Sequence, residues 1–189
     1  MHQKRAQEIT SDLVSAIATT KLHSVKKDLY IDENDGYVIK KYEQDDTGYK
    51  IYGGYQFNKI IAAEVSFTDY GTFVASERYT QRPKSVAFSA NAGYNFFHEQ
   101  LRPFCLLGLG YLKTDESRDV LDDGFVISNI GLGLKYYPSV LKGMGFRMAY
   151  EREFRITTQE SVDESGENPS MDEFAHTYYL PYIGVQYKF

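Results

Sequence analysis

Four histidines, a single cysteine and a set of charged residues at alternate positions are the groups in this 189-residue chain whose types and spacing could do chemistry. Hydrolytic or acyl-transfer chemistry needs a nucleophile, a base within hydrogen-bond reach and a group that orients the base. His23 and His176 are each followed by a hydroxyl residue, Ser24 and Thr177, but the sequence fixes no carboxylate to orient either imidazole. His2 belongs to a polar tail and His98 to a short turn. Cys105 is alone, which excludes an intramolecular disulfide and a cysteine-based zinc site. Its setting, Phe104-Cys105-Leu106-Leu107, is that of an inert thiol, packed or facing lipid. The acidic runs Asp32-Glu33-Asn34-Asp35 and Ser161-Val162-Asp163-Glu164-Ser165-Gly166-Glu167-Asn168 lack the ligand spacing of a calcium loop and read as solvated. The expectation is therefore no enzyme, no metal and no cofactor. A net charge of −5 without a basic stripe also argues against nucleic acid as a partner.

The charged residues Lys50, Glu64, Lys135, Arg147, Glu151 and Lys188 are more informative, because each is flanked by residues that alternate strictly in polarity. Period-two alternation is the mark of a strand with two unlike faces. It runs through Thr47–Phe57, Ile61–Thr68, Ser85–Phe96, Pro103–Tyr111, Val126–Tyr136, Met144–Glu151 and Tyr178–Phe189. In each, one face is aliphatic or aromatic (Val86, Phe88, Ala90, Ala92, Tyr94, Phe96) and the other is small or polar (Ser85, Ala87, Ser89, Asn91, Gly93, Asn95). The facing of Pro103–Tyr111 is the least clear, since Phe104 and Leu106 are apolar as well. An eighth strand is expected within about Leu13 to His23, where Val14, Ala16, Ala18, Thr20 and Leu22 share a face. The organisation expected is a polar tail over residues 1–12 and one all-β domain over 13–189. Met1 to Glu8 is polar and has no apolar core, so it is not a signal peptide, and the chain reads as a mature form.

No run of the chain approaches the roughly 18 apolar residues of a membrane helix. Negative mean hydropathy does not exclude a membrane, because alternating strands average out. Only helices and closed barrels satisfy their backbone groups in lipid, so membrane contact implies an eight-stranded antiparallel up-and-down barrel. Connections after Phe57, Phe96 and Tyr136 are short, and those around 24–45, 70–84, 113–124 and 156–173 are long. That asymmetry is the layout of an outer-membrane barrel with both termini periplasmic.

The C-terminal run Tyr182-Ile183-Gly184-Val185-Gln186-Tyr187-Lys188-Phe189 carries Tyr182, Gly184, Tyr187 and the final Phe189 in the pattern of an outer-membrane terminal strand. Gly53–Asn58 with Ala63–Gly71, and Gly131–Tyr136 with Phe146–Glu151, resemble the second to third and sixth to seventh strands of the OmpA/OmpX-like small outer-membrane barrels. The resemblance covers about residues 46–189. It implies that the terminal pattern is a signal read by the barrel-assembly machinery, and that a charged cluster plugs the lumen. The chain departs from the family's longer members in stopping at the barrel, so the expectation is no cell-wall anchoring role.

An eight-stranded barrel is just wide enough for its own side chains to fill, and charges inside it need partners. Aligning the hairpins by face sets Ile61 opposite Phe57 and Met144 opposite Tyr136. Glu64 and Arg147 then stand at one level, facing Gly54 and Gly133, and should bridge the lumen with Lys135 and Glu151 beside them. The function expected is a monomeric outer-membrane protein with a structural and adhesin-like recognition role through its external loops. Its partners would be membrane lipid and lipopolysaccharide, the assembly machinery, and a surface or host ligand. A small ion-conducting porin is the alternative. A soluble lipid-binding barrel, apolar inside and polar outside, is the third possibility.

Overall fold

The computed structural model describes residues 12–16, 25–32, 36–43, 47–76, 79–116, 124–162 and 169–189. Among the described residues there are eleven strand segments and no helix: β1 (Asp12–Ala16), β2 (Val25–Asp32), β3 (Gly36–Glu43), β4 (Tyr49–Gln56), β5 (Ile61–Asp69), β6 (Phe73–Ser76), β7 (Tyr79–Gly93), β8 (Leu101–Glu116), β9 (Gly124–Tyr136), β10 (Met144–Val162) and β11 (Pro169–Tyr187). All pairings are antiparallel.

The eleven segments occupy eight positions in a ring. β1 pairs with β4 and touches β11, while β2 pairs with β11 and β3, so β1 and β2 share the place between β11 and the next strand. β4 pairs with β5 and β3 touches β6, so β3 and β4 share the second place. β5 and β6 both pair with β7 and share the third. From β7 to β11 each strand pairs with the next. The pairing of β11 back to β2 closes the sheet into an eight-stranded barrel.

The alternation seen in the sequence becomes an inside and an outside. Phe88 (62%), Leu107 (67%), Leu132 (67%) and Ile183 (67%) are among the most exposed side chains, whereas Arg147 and Glu151 are wholly buried. A soluble protein does not present a continuous belt of this kind to water. The same inversion removes the lipocalin-type barrel, whose polarity would be the reverse. Cys105 lies on this outer face, and Phe104 and Leu106 point inward, which settles the facing of β8.

Strand lengths depart from expectation. β10 and β11 have 19 residues each, about twice the 9–11 that cross a bilayer. Segments expected to be long loops are largely strand: 24–45 contains β2 and β3, and 70–84, 113–124 and 156–173 contain β6 and the ends of β7, β8, β10 and β11. Beyond the apolar belt neither face of a strand need be apolar, so Val25-Lys26-Lys27-Asp28-Leu29 pairs through its backbone while showing no clean alternation. The expected first strand is present in part, since β1 covers Leu13 to Ala16 and residues 17–24 lie outside the described set.

At the opposite end the connections are tight. Asn58 Oδ1 accepts the backbone N–H groups of Ile60 and Ile61 at 2.8 Å each and fixes the β4–β5 turn. In the β7–β8 turn Phe97, His98 and Glu99 all adopt left-handed backbone (φ 48°, 56° and 69°), a costly state for residues with a Cβ. Gly71, at φ 74°, bends the chain between β5 and β6, and Tyr70 and Phe73 on either side of it both turn inward.

Candidate functional site

The lumen is built in storeys because each strand delivers an inward side chain every second residue. Along β10 these are Arg147, Ala149, Glu151 and Glu153, all buried. Arg147 is the hub. Its Nη1 lies 2.8 Å from Glu64 Oε1 on β5, and its Nη2 lies 3.3 Å from Glu151 Oε1, two inward positions along its own strand. Lys50 on β4 reaches Glu151 Oε2 at 3.0 Å and donates to Ser66 and Thr68 hydroxyls at 3.2 and 3.3 Å. Lys135 on β9 stands 3.8 Å from Glu64 Oε2. The structure thus brings together Lys50, Glu64, Lys135, Arg147 and Glu151.

Several members were not singled out from the sequence. Asn91 donates to Glu64 at 3.3 Å, and Asn129 donates to Glu151 and to Glu153, both at 3.3 Å. Glu153 also accepts from the Tyr70 hydroxyl. Its signal was present, since it continues the phase of Arg147 and Glu151. Tyr182, expected only as part of the terminal signal, points into the lumen and donates to Glu151 Oε1 at 2.5 Å. Gly184 is also inward and lies directly across from Arg147 on the neighbouring strand. Tyr187 and Phe189 are on the outer face, their rings edge-to-face at 4.7 Å. Lys188 is half-buried beyond the end of β11, and its backbone N–H donates to Gly143 at 2.7 Å.

Aromatic rings complete the setting. The Arg147 guanidinium sits 4.1 Å from the Tyr52 ring centroid and 4.6 Å from that of Phe104, and Lys135 lies 5.3 Å from the Phe104 ring. Such contacts partly replace the hydration a buried cation loses. In the network proper, three cations (Lys50, Lys135, Arg147) face three carboxylates (Glu64, Glu151, Glu153).

The register corrects one expectation. Glu64 faces Gly54 as foreseen. On β9, however, Tyr136 pairs with Phe146, so Arg147 faces Lys135 and Gly133 faces Ala149. The connection from Tyr137 to Gly143 closes on two turn hydrogen bonds, Leu141 to Pro138 and Met144 to Leu141, and takes up two further residues. A slip of two leaves every side chain on its face, so polarity cannot reveal it. Gly133 serves differently: the Phe104 ring lies against it, and a Cβ there would meet that ring and the Met148 carbonyl at 2.7 Å. Gly133→Val should therefore displace the shelf under Arg147 and destabilise by about 1–3 kcal/mol or more. Gly53→Ala, with nothing within 4 Å, should be near neutral. Chemical unfolding followed by circular dichroism would check the contrast, and equal effects would refute it.

Little space is left. The gap bounded by Tyr52, Gly54, Glu64, Arg102 and Lys135 is about 10 Å³, no more than one water needs. Toward the long-strand end, Tyr70, Phe73, Leu112, Ile127, Tyr178 and Leu180 form an apolar storey, with Tyr70 and Tyr178 rings 4.8 Å apart. Among the described residues no cluster of histidine, cysteine or carboxylate residues is arranged to hold a metal.

Comparison with known proteins agrees with this geometry. A family described as outer membrane protein beta-barrel domain matches residues 16–189. No curated protein sequence matches the chain. Among solved structures, the outer membrane protein OprG from Pseudomonas aeruginosa is similar with a TM-score of 0.57 at 13% identity, over 95% of this chain and 96% of that one. AlkL, solved in lipid bilayers, gives 0.51 at 16% identity, over 100% and 95%. Neisserial surface protein A gives 0.50 at 16% identity, over 90% and 96%. Likeness at these identities is of fold alone.

Proposed function

The chain belongs to the outer membrane protein β-barrel domain family, and within it we propose a closed barrel that serves as a rigid foot for recognition at the cell surface. One observation carries the reading: β10 and β11 run 19 residues, about twice the length needed to cross lipid, above a lumen packed with side chains. A pore gains nothing from such extensions, whereas a binding platform gains reach and stiffness. In this reading the tight turns and both termini face the periplasm and the long-strand end faces outward. Tyr187 and Phe189 then form the aromatic end of the assembly signal. Lipid and lipopolysaccharide surround the belt, and a surface ligand meets the extended strands as a monomeric barrel presents them.

The test is to shorten the β10–β11 hairpin by replacing residues 157–174 with a two-residue turn, which leaves the network intact. The variant is expected to insert and to keep the different gel mobilities of boiled and unboiled samples. It should lose most of the attachment that the full protein confers on expressing cells, measured on bare and matrix-coated surfaces. Undiminished attachment would remove the recognition role.

A further inference from the structure

Arg102 differs from the other buried cations of the barrel. It is 3% exposed, yet no carboxylate lies within ion-pair distance of it among the described residues, whereas Lys50, Lys135 and Arg147 each have one. Of its five N–H donors, one makes a firm bond, to the Ile60 carbonyl at 2.9 Å. A second reaches Gln56 Oε1 only at 3.5 Å, and Nε has no partner. A buried guanidinium without an ion-pair partner is costly, and Glu64, which borders the same small gap, is already engaged by Arg147 and Lys135.

Arg102 lies where the lumen opens at the tight-turn end. There it lines a cavity of about 550 Å³ together with Gln56, Asn95, Ser139 and Lys142. Glu99 also borders this space, so the cavity is not uniformly cationic. Of the strained run Phe97 to Glu99, His98 and Glu99 line it, and such strain gathers where structure serves a site. These polar side chains come from four directions: Arg102 from β8, Gln56 from the end of β4, Asn95 from the β7–β8 turn, and Ser139 and Lys142 from the β9–β10 turn. A carboxylate offers two oxygens in one plane, whereas a phosphate accepts from several sides. The volume exceeds what bare phosphate would fill and lies in the range of about 300–1,000 Å³ usual for small-molecule sites.

We propose that this mouth is a binding site for a phosphate group carried on a larger molecule, with Arg102 as its counter-charge and Lys142 as a second cation. The phosphate comes either from a lipid headgroup or from a soluble phosphorylated compound. The site is independent of the recognition role proposed above.

The full barrel in uncharged detergent would be titrated with inorganic phosphate at constant ionic strength, following the Arg102 side-chain N–H and the amides of Gly93 and Lys142 by NMR. A saturable response is expected. Arg102→Gln should weaken it at least about tenfold, the effect of losing one charge-assisted contact. Lys142→Gln, at an exposed position that does not hold the fold, should weaken it severalfold. No saturable response, or equal affinity in both variants and the parent, would overturn the proposal. Nanodiscs of phosphatidylcholine, with and without phosphatidic acid, separate the sources. If the anionic lipid shifts the same resonances and blocks inorganic phosphate, the headgroup is the ligand. If phosphate binds equally in both, the ligand is soluble. Loss of surface attachment in the hairpin variant, with this response retained, would show the two proposals to be separate.

Discussion

Replacing Arg147 with alanine should destabilise the barrel by about 3–5 kcal/mol, the cost of breaking a buried ion pair from one side. The variant leaves Lys50 and Lys135 against Glu64, Glu151 and Glu153, and Glu64 keeps only the more distant Lys135 at 3.8 Å. Glu64→Ala leaves the opposite excess, with Arg147 still held by Glu151 at 3.3 Å, so its cost should be smaller. The double variant restores two cations against two carboxylates. Its loss should therefore be clearly less than the sum of the single losses, a coupling of about 1–3 kcal/mol. Unfolding in denaturant, followed by circular dichroism because the chain has no tryptophan, gives the four values of the cycle. Additive losses would show that the 2.8 Å contact carries no net coupling.

The second large effect concerns conduction. The unmodified barrel should show only background conductance in planar bilayers. Removing the charge bridge alone should leave it there, because the apolar storey of Tyr70, Phe73, Leu112, Ile127, Tyr178 and Leu180 still stands in series with the network. Water and ions avoid a narrow apolar constriction. Adding Phe73→Ala and Tyr178→Ala to the Glu64→Ala/Arg147→Ala pair should raise conductance steeply. Steady, large conductance in the unmodified protein would favour the porin reading instead.

What the sequence made legible, and what it hid, follows from the physics of period two. Alternation assigned the faces of Lys50, Glu64 and Arg147, because a charge between apolar neighbours has only one dry place to go. It located the storey of Glu64 through its short turn, where Asn58 leaves little choice of register. It did not fix the partner of Arg147, since a slip of two residues preserves polarity. Nor did it find Arg102, whose inward phase is shared with apolar Phe104 and Leu106 and so leaves no contrast. The extended strands were hidden for a further reason: outside lipid, backbone pairing places no demand on side-chain polarity.

At the level of the eight ring positions, every pairing but one joins strands that follow one another along the chain. The exception is β11 with β2, where Ala175 meets Leu29 across roughly 150 residues of sequence. Bringing such distant segments together costs about 2 kcal/mol more in chain entropy than forming a ten-residue hairpin. The local hairpins can therefore form early, and the circle is necessarily completed last. Until β11 exists there are two bare strand edges, each a row of unpaired N–H and C=O groups that lipid cannot satisfy and that would pair with any neighbouring chain. The order of construction thus follows from topology: a curved sheet grows hairpin by hairpin, and its two edges stay bare until the final strand seals them.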